Sequence, residues 1–302
     1  MLKQVTVGAS RHARLKLFGY YVQRIVTSRT IRRAANRATV AVLASLHGRP
    51  EQRPALTPAI TPALAALRAD GCAPLGRLLS AAECAEVLAW LEGRDMVAAR
   101  AGGQVFRAGA VPAGTRFADY PLDSVVHCPH ILALANRPDV LQLAQDYLGY
   151  TPTITQLALR WSFPGAQADA DVQGFHRDSE PGSIKLLAYL TDVDLDAGPH
   201  SYVAGTHRDR MPLRLHHYAD ADIARDYGAG LVVTGPAGTA FAIDTKGIHK
   251  GTPPRRHAPL VLMVQYSLLP CLIYDYSPVA YRGGLAVDRY VNRLMISAAS
   301  PA

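Results

Sequence analysis

A chain of 302 residues, 49% of them apolar, can bury one large core or two ordinary ones, which excludes a protein disordered throughout. The formal charge of +8 sits at one end: residues 1–50 hold ten Lys or Arg and no Asp or Glu, and the remaining 22 basic against 24 acidic residues leave a body of about −2. Four scattered cysteines, Cys72, Cys84, Cys128 and Cys271, form no C-x-x-C pair, which argues against a zinc ribbon or a disulfide framework and for a reducing, cytoplasmic setting.

In chain order, residues 1–50 form a basic amphipathic arm. Leu17, Tyr21 and Ile25, and Phe18, Val22 and Val26, recur at helical spacing beside Arg29, Arg33 and Arg37. The pattern fits peripheral contact with an anionic membrane or an acidic partner, an organellar transit peptide, or a helix docked on the body with a solvated basic face. The apolar run at 39–46 is shorter than the roughly 18 residues that a membrane span needs. A secretory signal fits poorly, because the basic stretch before that run is too long. Four prolines between 48 and 62 mark a linker, assigned to 51–62.

The remainder, 63–302, reads as a single domain with a helical part (63–150), a β-rich core (151–270) and a C-terminal extension (271–302). Helix signals are Thr61 as N-cap with Pro62 at the first position and Gly71 as stop, then Ser80 with Glu83 as a capping box. A third helical stretch, 129–149, is expected to break or restart near Pro138. From about 153 the chain turns to short β-rich runs, "TITQLALRWSF", "VQGFHRD", "IKLLAYLTDV", "HSYVAG", "LVVTG", "GTAFAID" and "APLVLMVQYSLL", separated by Gly and Pro. That spacing predicts a mainly β jelly-roll core with helices packed outside.

Within "GFHRDSE" (174–180), a strand period of two puts His176 and Asp178 on one face and Arg177 on the other. His249 follows a predicted strand seventy-three residues later, and a two-sheet barrel can bring it to the same mouth. Two imidazoles and a carboxylate on one face of an octahedron leave three open positions, as in non-heme Fe(II) oxygenases; the same set also suits zinc, so a zinc hydrolase stays open, as does a non-catalytic jelly-roll binding module. No G-x-S-x-G, P-loop or Rossmann glycine fingerprint is present. No basic strand face with interleaved aromatics is visible, so sequence-specific nucleic-acid binding is not expected.

Four blocks carry a resemblance: 64–91, "FHRDSE" (175–180), "IKLLAYLTDVDLDAGPHSYVAGTHR" (184–208) and 235–267. In order and spacing they resemble the phytanoyl-CoA dioxygenase family of Fe(II)- and 2-oxoglutarate-dependent oxygenases. The resemblance covers about 60–270 and excludes the arm. It implies a double-stranded β-helix, with Fe(II), 2-oxoglutarate and O₂ as cofactors and His176, Asp178 and His249 as iron ligands and catalytic centre. It places an arginine near the strand after the distal histidine, against the distal carboxylate of 2-oxoglutarate; Arg256 lies nearest that strand, with Arg255 as the alternative.

The resemblance also puts Tyr189 beside the cosubstrate, although ordinary core packing explains it as well. Lys185 either meets an acidic group in that pocket or is a solvated strand lysine, and Gln156 and Arg160 are further lining candidates. His200 and His207 are left as structural loop residues. His216 and His217 either flank an entrance or decorate a surface loop. Gly198 and Gly205 are expected at tight backbone positions. The implied reaction is oxidation of a small molecule, lipid or glycan precursor with release of succinate and CO₂. Asp178, standing where Ala or Gly would open a halide site, favours hydroxylation over halogenation, with desaturation and epoxidation open. The 184–208 block is most similar to bacterial members linked to surface-glycan or secondary-metabolite pathways.

Overall fold

The computed structural model describes residues 3–4, 11–48, 50, 57–58, 60–98, 103–165, 173–209, 212–213 and 217–297. Two helices, α1 (Arg11–Ile25) and α2 (Arg29–His47), lead into α3 (Thr61–Ala69). Pro62 lies in the first turn of α3, where a missing N–H breaks no helical bond. The cap differs from expectation by one residue: Ile60 holds that position, and the Thr61 hydroxyl donates to Thr57 O at 2.8 Å. Helix α4 (Ala81–Leu91) has the expected capping box, with Glu83 N donating to Ser80 Oγ at 3.2 Å and Ser80 N to Glu83 Oε2 at 2.7 Å. After α5 (Leu122–Val126), the third stretch divides at Pro138 into α6 (Ile131–Ala135) and α7 (Pro138–Leu148).

The strands include β1 (Lys3–Gln4), β2 (Cys72–Arg77), β3 (Met96–Ala98), β4 (Gln104–Phe106), β5 (Phe117–Asp119), β6 (Thr153–Ser162), β7 (Ser183–Tyr189), β8 (His200–Tyr202), β9 (Leu231–Val233), β10 (Thr239–Ile243), β11 (His249–Gly251), β12 (Leu260–Ser267) and β13 (Tyr274–Asp275). Eight of them form an antiparallel sheet in the order β2-β10-β7-β12-β6-β5-β3-β4. A smaller sheet, β11-β8-β9, is extended by backbone pairing of His176 with His249. Together they make the expected double-stranded β-helix, with helices on the outer face of the large sheet. The segment 174–180 is strand-like only in part: Phe175 and His176 form isolated bridges.

Alternation along the central strands sorts side chains between two cores. On β12, Leu260, Leu262, Val264 and Tyr266 pack towards the helices, while Val261, Met263 and Gln265 face the barrel interior. Strand β6 would fall out of step, but the pairing shifts between Gln265–Gln156 and Tyr266–Ile154, leaving Thr155 as an extra residue. That bulge lets Ile154 join the helix-side core while Gln156 points inward.

The arm is not a detached tail. Leu43 of α2 packs with Tyr150 and Leu268, and Arg29 and Arg32 are buried. Arg29 Nη1 donates to His207 O at 2.9 Å, and Arg32 donates to Gln23 O at 2.7 Å, to Val26 O at 2.9 Å and to Ser179 O. Buried guanidinium groups are costly unless their N–H groups find acceptors, and these carbonyls supply them for the Nη groups, while Arg32 Nε has no partner among the described residues. A helix docked on the body is therefore observed, but two of its cations face inward instead of water. Most of the linker at 51–62 lies outside the described residues.

Gly198 and Gly205 both have left-handed backbone, each with φ of 76°. They differ in surroundings. A Cβ on Gly198 would lie 2.4 Å from Thr252 O and 2.7 Å from Pro254 N, whereas one on Gly205 would meet nothing within 4 Å. Gly205→Ala is expected to carry only the left-handed cost of about 1–3 kcal/mol. Gly198→Ala must also displace the backbone leading out of β11, so its Tm is expected to fall further by calorimetry. Equal losses would refute the steric argument.

Candidate metal centre

Backbone pairing builds the centre. His176 N donates to His249 O and His249 N to His176 O, both at 3.0 Å, so the two histidines sit opposite each other across a bridge. Asp178 N donates to Thr245 O at 2.9 Å, fixing the third residue beside them. Ligand atoms of His176, Asp178 and His249 all lie within 4.8 Å of one another, and His176 Nε2 is 3.6 Å from Asp178 Oδ1. The three candidate ligands named from sequence therefore converge.

The tautomers follow from the partners. His176 Nδ1 is 2.8 Å from Gly174 O, and His249 Nδ1 is 3.0 Å from Gly247 O. A carbonyl oxygen only accepts, so each Nδ1 carries the proton and each Nε2 keeps its lone pair for a metal. Burial, reinforced by neighbouring His176 and opposed by Asp178, lowers the His249 pKa to about 3. That imidazole stays neutral, and so able to ligate, at physiological pH.

Lys185 Nζ donates to Asp178 Oδ2 at 2.7 Å, leaving Oδ1 turned towards His176. Burial works against the Asp178 carboxylate, but Lys185 and then the two imidazoles outweigh it and hold its pKa well below the usual range. Glu180, next along the same face, is pushed up by burial and by Asp178. Lys185 therefore meets an acidic group, as one of the two sequence readings had it, and the group is a candidate iron ligand.

Arg177, between the two proximal candidate ligands, points the other way and is almost completely buried. It donates to Thr206 O, Lys246 O and Asp209 Oδ2, each at 2.7 Å, and to Tyr218 Oη at 3.1 Å. It thus ties the 174–180 segment to the loop whose Gly247 carbonyl orients His249. Sequence reasoning assigned Arg177 no role; its signal was the alternation that points it away from the candidate ligands.

The three residues line a cavity of about 720 Å³. Leu187, Ile243, Val261 and Met263 give it apolar walls, and Gln156, Arg160, Lys185 and His200 are among its polar groups. Arg160 holds Asp119 through a fork, Nε to Oδ1 at 2.7 Å and Nη2 to Oδ2 at 2.8 Å. Burial, then Lys185 and His176, lowers the His200 pKa to about 4, so His200 presents a neutral ring.

Other sequence candidates fall elsewhere. Arg255 and Arg256 do not line the cavity; the 252–258 turn carries them outward, and the Arg256 side chain is 75% exposed, with Nε 3.5 Å from Asp196 Oδ2. The strand that follows shows the cavity Val261 and Met263, so nearness in sequence to β12 did not bring an arginine inside. Tyr189 is a core residue: it packs against Phe241, its hydroxyl donates to Val233 O at 2.9 Å and accepts from His200 N at 3.0 Å, and it does not line the cavity. His207 is buried under the loop after α3, with Nε2 3.2 Å from Arg68 O. His217 is exposed, with its ring centroid 6.2 Å from that of His176, and His216 lies outside the described residues.

Comparison with known proteins agrees with this geometry. The carbocyclase SnoK, described as a non-heme alpha ketoglutarate dependent enzyme from nogalamycin biosynthesis, is 19% identical over 71% of this chain and 87% of its own, with a TM-score of 0.51. The epimerase SnoN from the same biosynthesis is 20% identical over 77% of this chain and 95% of its own, with a TM-score of 0.52. SnoN in complex with Fe³⁺, alpha ketoglutarate and nogalamycin RO is 21% identical over 69% and 83%, with a TM-score of 0.50. At such identities the likeness establishes the fold. Comparison with curated proteins gives no match. The phytanoyl-CoA dioxygenase family model matches residues 67–257, more than half of the chain and including all three converging residues, and the chain belongs to that family.

Proposed function

We propose that this chain is an Fe(II)- and 2-oxoglutarate-dependent dioxygenase that hydroxylates an unactivated C–H bond of a small molecule, lipid or glycan precursor. The observation that carries the reading is the His176–Asp178–His249 cluster, with both Nε2 atoms free of backbone partners, in the wall of a cavity of about 720 Å³. Membership of the family makes Fe(II), 2-oxoglutarate and O₂ the cofactors. The donor set fits the metal: two imidazoles and one carboxylate would occupy one face and leave the other for exchangeable ligands. When bound, the iron and cosubstrate supply O₂-dependent oxidation coupled to conversion of 2-oxoglutarate to succinate and CO₂.

The chain's own residues supply positioning. Lys185 holds the distal oxygen of Asp178, and the Gly174 and Gly247 carbonyls hold the two rings. Among the described residues, the cavity offers a dicarboxylate two cations, Lys185 and Arg160. Both are already paired, Lys185 with the candidate ligand Asp178 and Arg160 with Asp119; Arg160, whose partner is not one of the candidate ligands, is our candidate for carboxylate recognition in place of Arg256 or Arg255. The apolar wall of Leu187, Ile243, Val261 and Met263 excludes water and suits an aliphatic portion of the substrate. The cavity volume accommodates a small molecule, and SnoK and SnoN, with their roles in nogalamycin biosynthesis, favour substrates of that size. Those two are a carbocyclase and an epimerase, and Asp178 completing the ligand set argues for hydroxylation against halogenation alone.

The test uses anaerobically purified protein loaded with Fe(II). Slow succinate formation from 2-oxoglutarate without added substrate is expected on admitting O₂, and none in a His176→Ala variant. Turnover that proceeds without O₂ or 2-oxoglutarate would instead identify a metal-dependent hydrolase.

A further inference from the structure

The helices α1 and α2 face the wrong way for a protein surrounded by water. On α2, Arg29 and Arg32 are buried against body carbonyls, while Ile31, Val42 and Leu46 line the exposed side at helical spacing. On α1, Phe18, Tyr21, Val22 and Ile25 recur three or four residues apart and are exposed, Phe18 at 71% and Ile25 at 78%. Of the fourteen large hydrophobic residues exposed among the described residues, these seven fall between 18 and 46. A clustered exposed apolar face marks an interaction site, where scattered exposed residues would not.

Charge identifies what covers it. The first 50 residues carry ten cations and no anion, and Arg33 and Arg37 are exposed on α2, roughly half a turn round from the Ile31–Val42–Leu46 stripe. A second copy of this chain would oppose the same basic surface to itself, since a twofold interface is self-complementary, and like charges would meet. An apolar stripe with aromatics, on a segment rich in cations and lacking acids, matches the boundary of an anionic bilayer, where apolar groups enter the acyl region and cations meet phosphate. No described helix is long and apolar enough to cross a membrane, so contact through this face is peripheral.

We propose that the exposed face of α1 and α2 docks the protein on an anionic lipid surface. Docking there has a consequence for the centre, because the same helices hold the cavity wall from behind. Arg32 donates to Ser179 O, next to Asp178, and Lys16 of α1 pairs with Asp275 at 3.5 Å, next to the cavity-lining Tyr274. Contact of these helices with lipid would therefore bear on the segments that carry Asp178 and Tyr274.

Full-length protein is mixed with phosphatidylcholine vesicles with and without phosphatidylglycerol, and retention is measured by co-sedimentation. Retention is expected to be at least about tenfold greater on the anionic vesicles and to weaken with salt. The double variant Phe18→Ser/Ile25→Ser is expected to lose at least about tenfold, with circular dichroism and Tm unchanged. Serine substitutions at Leu269 and Leu285, exposed elsewhere, should leave retention as it was. Equal retention on neutral vesicles, or retention untouched by the double variant, overturns the proposal. Absence of vesicle binding overturns it as well, and a lipid-free dimer dissolved by the same double variant would assign the face to a second copy.

Discussion

A His249→Ala variant is expected to keep its fold and to lose O₂-dependent succinate formation by more than about 100-fold. The fold should survive because the two backbone hydrogen bonds joining residues 176 and 249 use only main-chain atoms, which alanine retains. Activity should not, because on the proposed reading the side chain offers one of the three candidate ligand atoms that converge among the described residues. Loss of an outer partner of a metal ligand already costs about 10–100-fold in metal affinity or activity, so loss of a ligand itself must exceed that. Anaerobic Fe(II) titration should show weakened binding alongside the lost turnover. A variant that binds Fe(II) as tightly as the parent, with succinate formation intact, would remove His249 from the centre.

What sequence could and could not show divides along physical lines. The central strands were legible because each run of β-branched and apolar residues is bounded by Gly or Pro, and H-x-D on such a run puts both groups on one face. Strand β2 was not, since Pro74 and Gly76 read as turn chemistry. It survives as a strand because it lies at the sheet edge, where a missing N–H breaks no pairing, and because its pairing shifts between Ala240 and Phe241. The placement of Arg256 was not legible for a different reason. Arg256 is near β12 along the chain, but only register decides which residues of a strand face inward, and the turn before it leaves the barrel altogether. The arm's arginines face the opposite difficulty: a cation on an amphipathic helix reads as solvated until the carbonyls that receive it are known.

The Lys185→Met variant draws on the contact that sequence left open. The Lys185–Asp178 pair is 2.7 Å long in a buried setting, and removing one partner of a buried ion pair costs about 3–5 kcal/mol because the other charge is left uncompensated. Methionine preserves bulk and removes only the ammonium. Asp178 would then feel burial and the neighbouring Glu180 without the cation that now outweighs them, and its carboxyl would take up a proton at higher pH than in the parent. Metal binding needs the ionised form. Fe(II) affinity is therefore expected to fall roughly 10–100-fold at neutral pH, and to be lost on acidification at a higher pH than the parent loses it. Lys185→Arg, which keeps the charge, should recover part of the affinity, a rescue that a purely packing role would not give. If Lys185 instead anchors the distal carboxylate of the cosubstrate, Fe(II) titrations of Lys185→Met will match the parent and only the KM for 2-oxoglutarate will rise. The two roles are thus separated by measuring the metal and the cosubstrate independently on one variant.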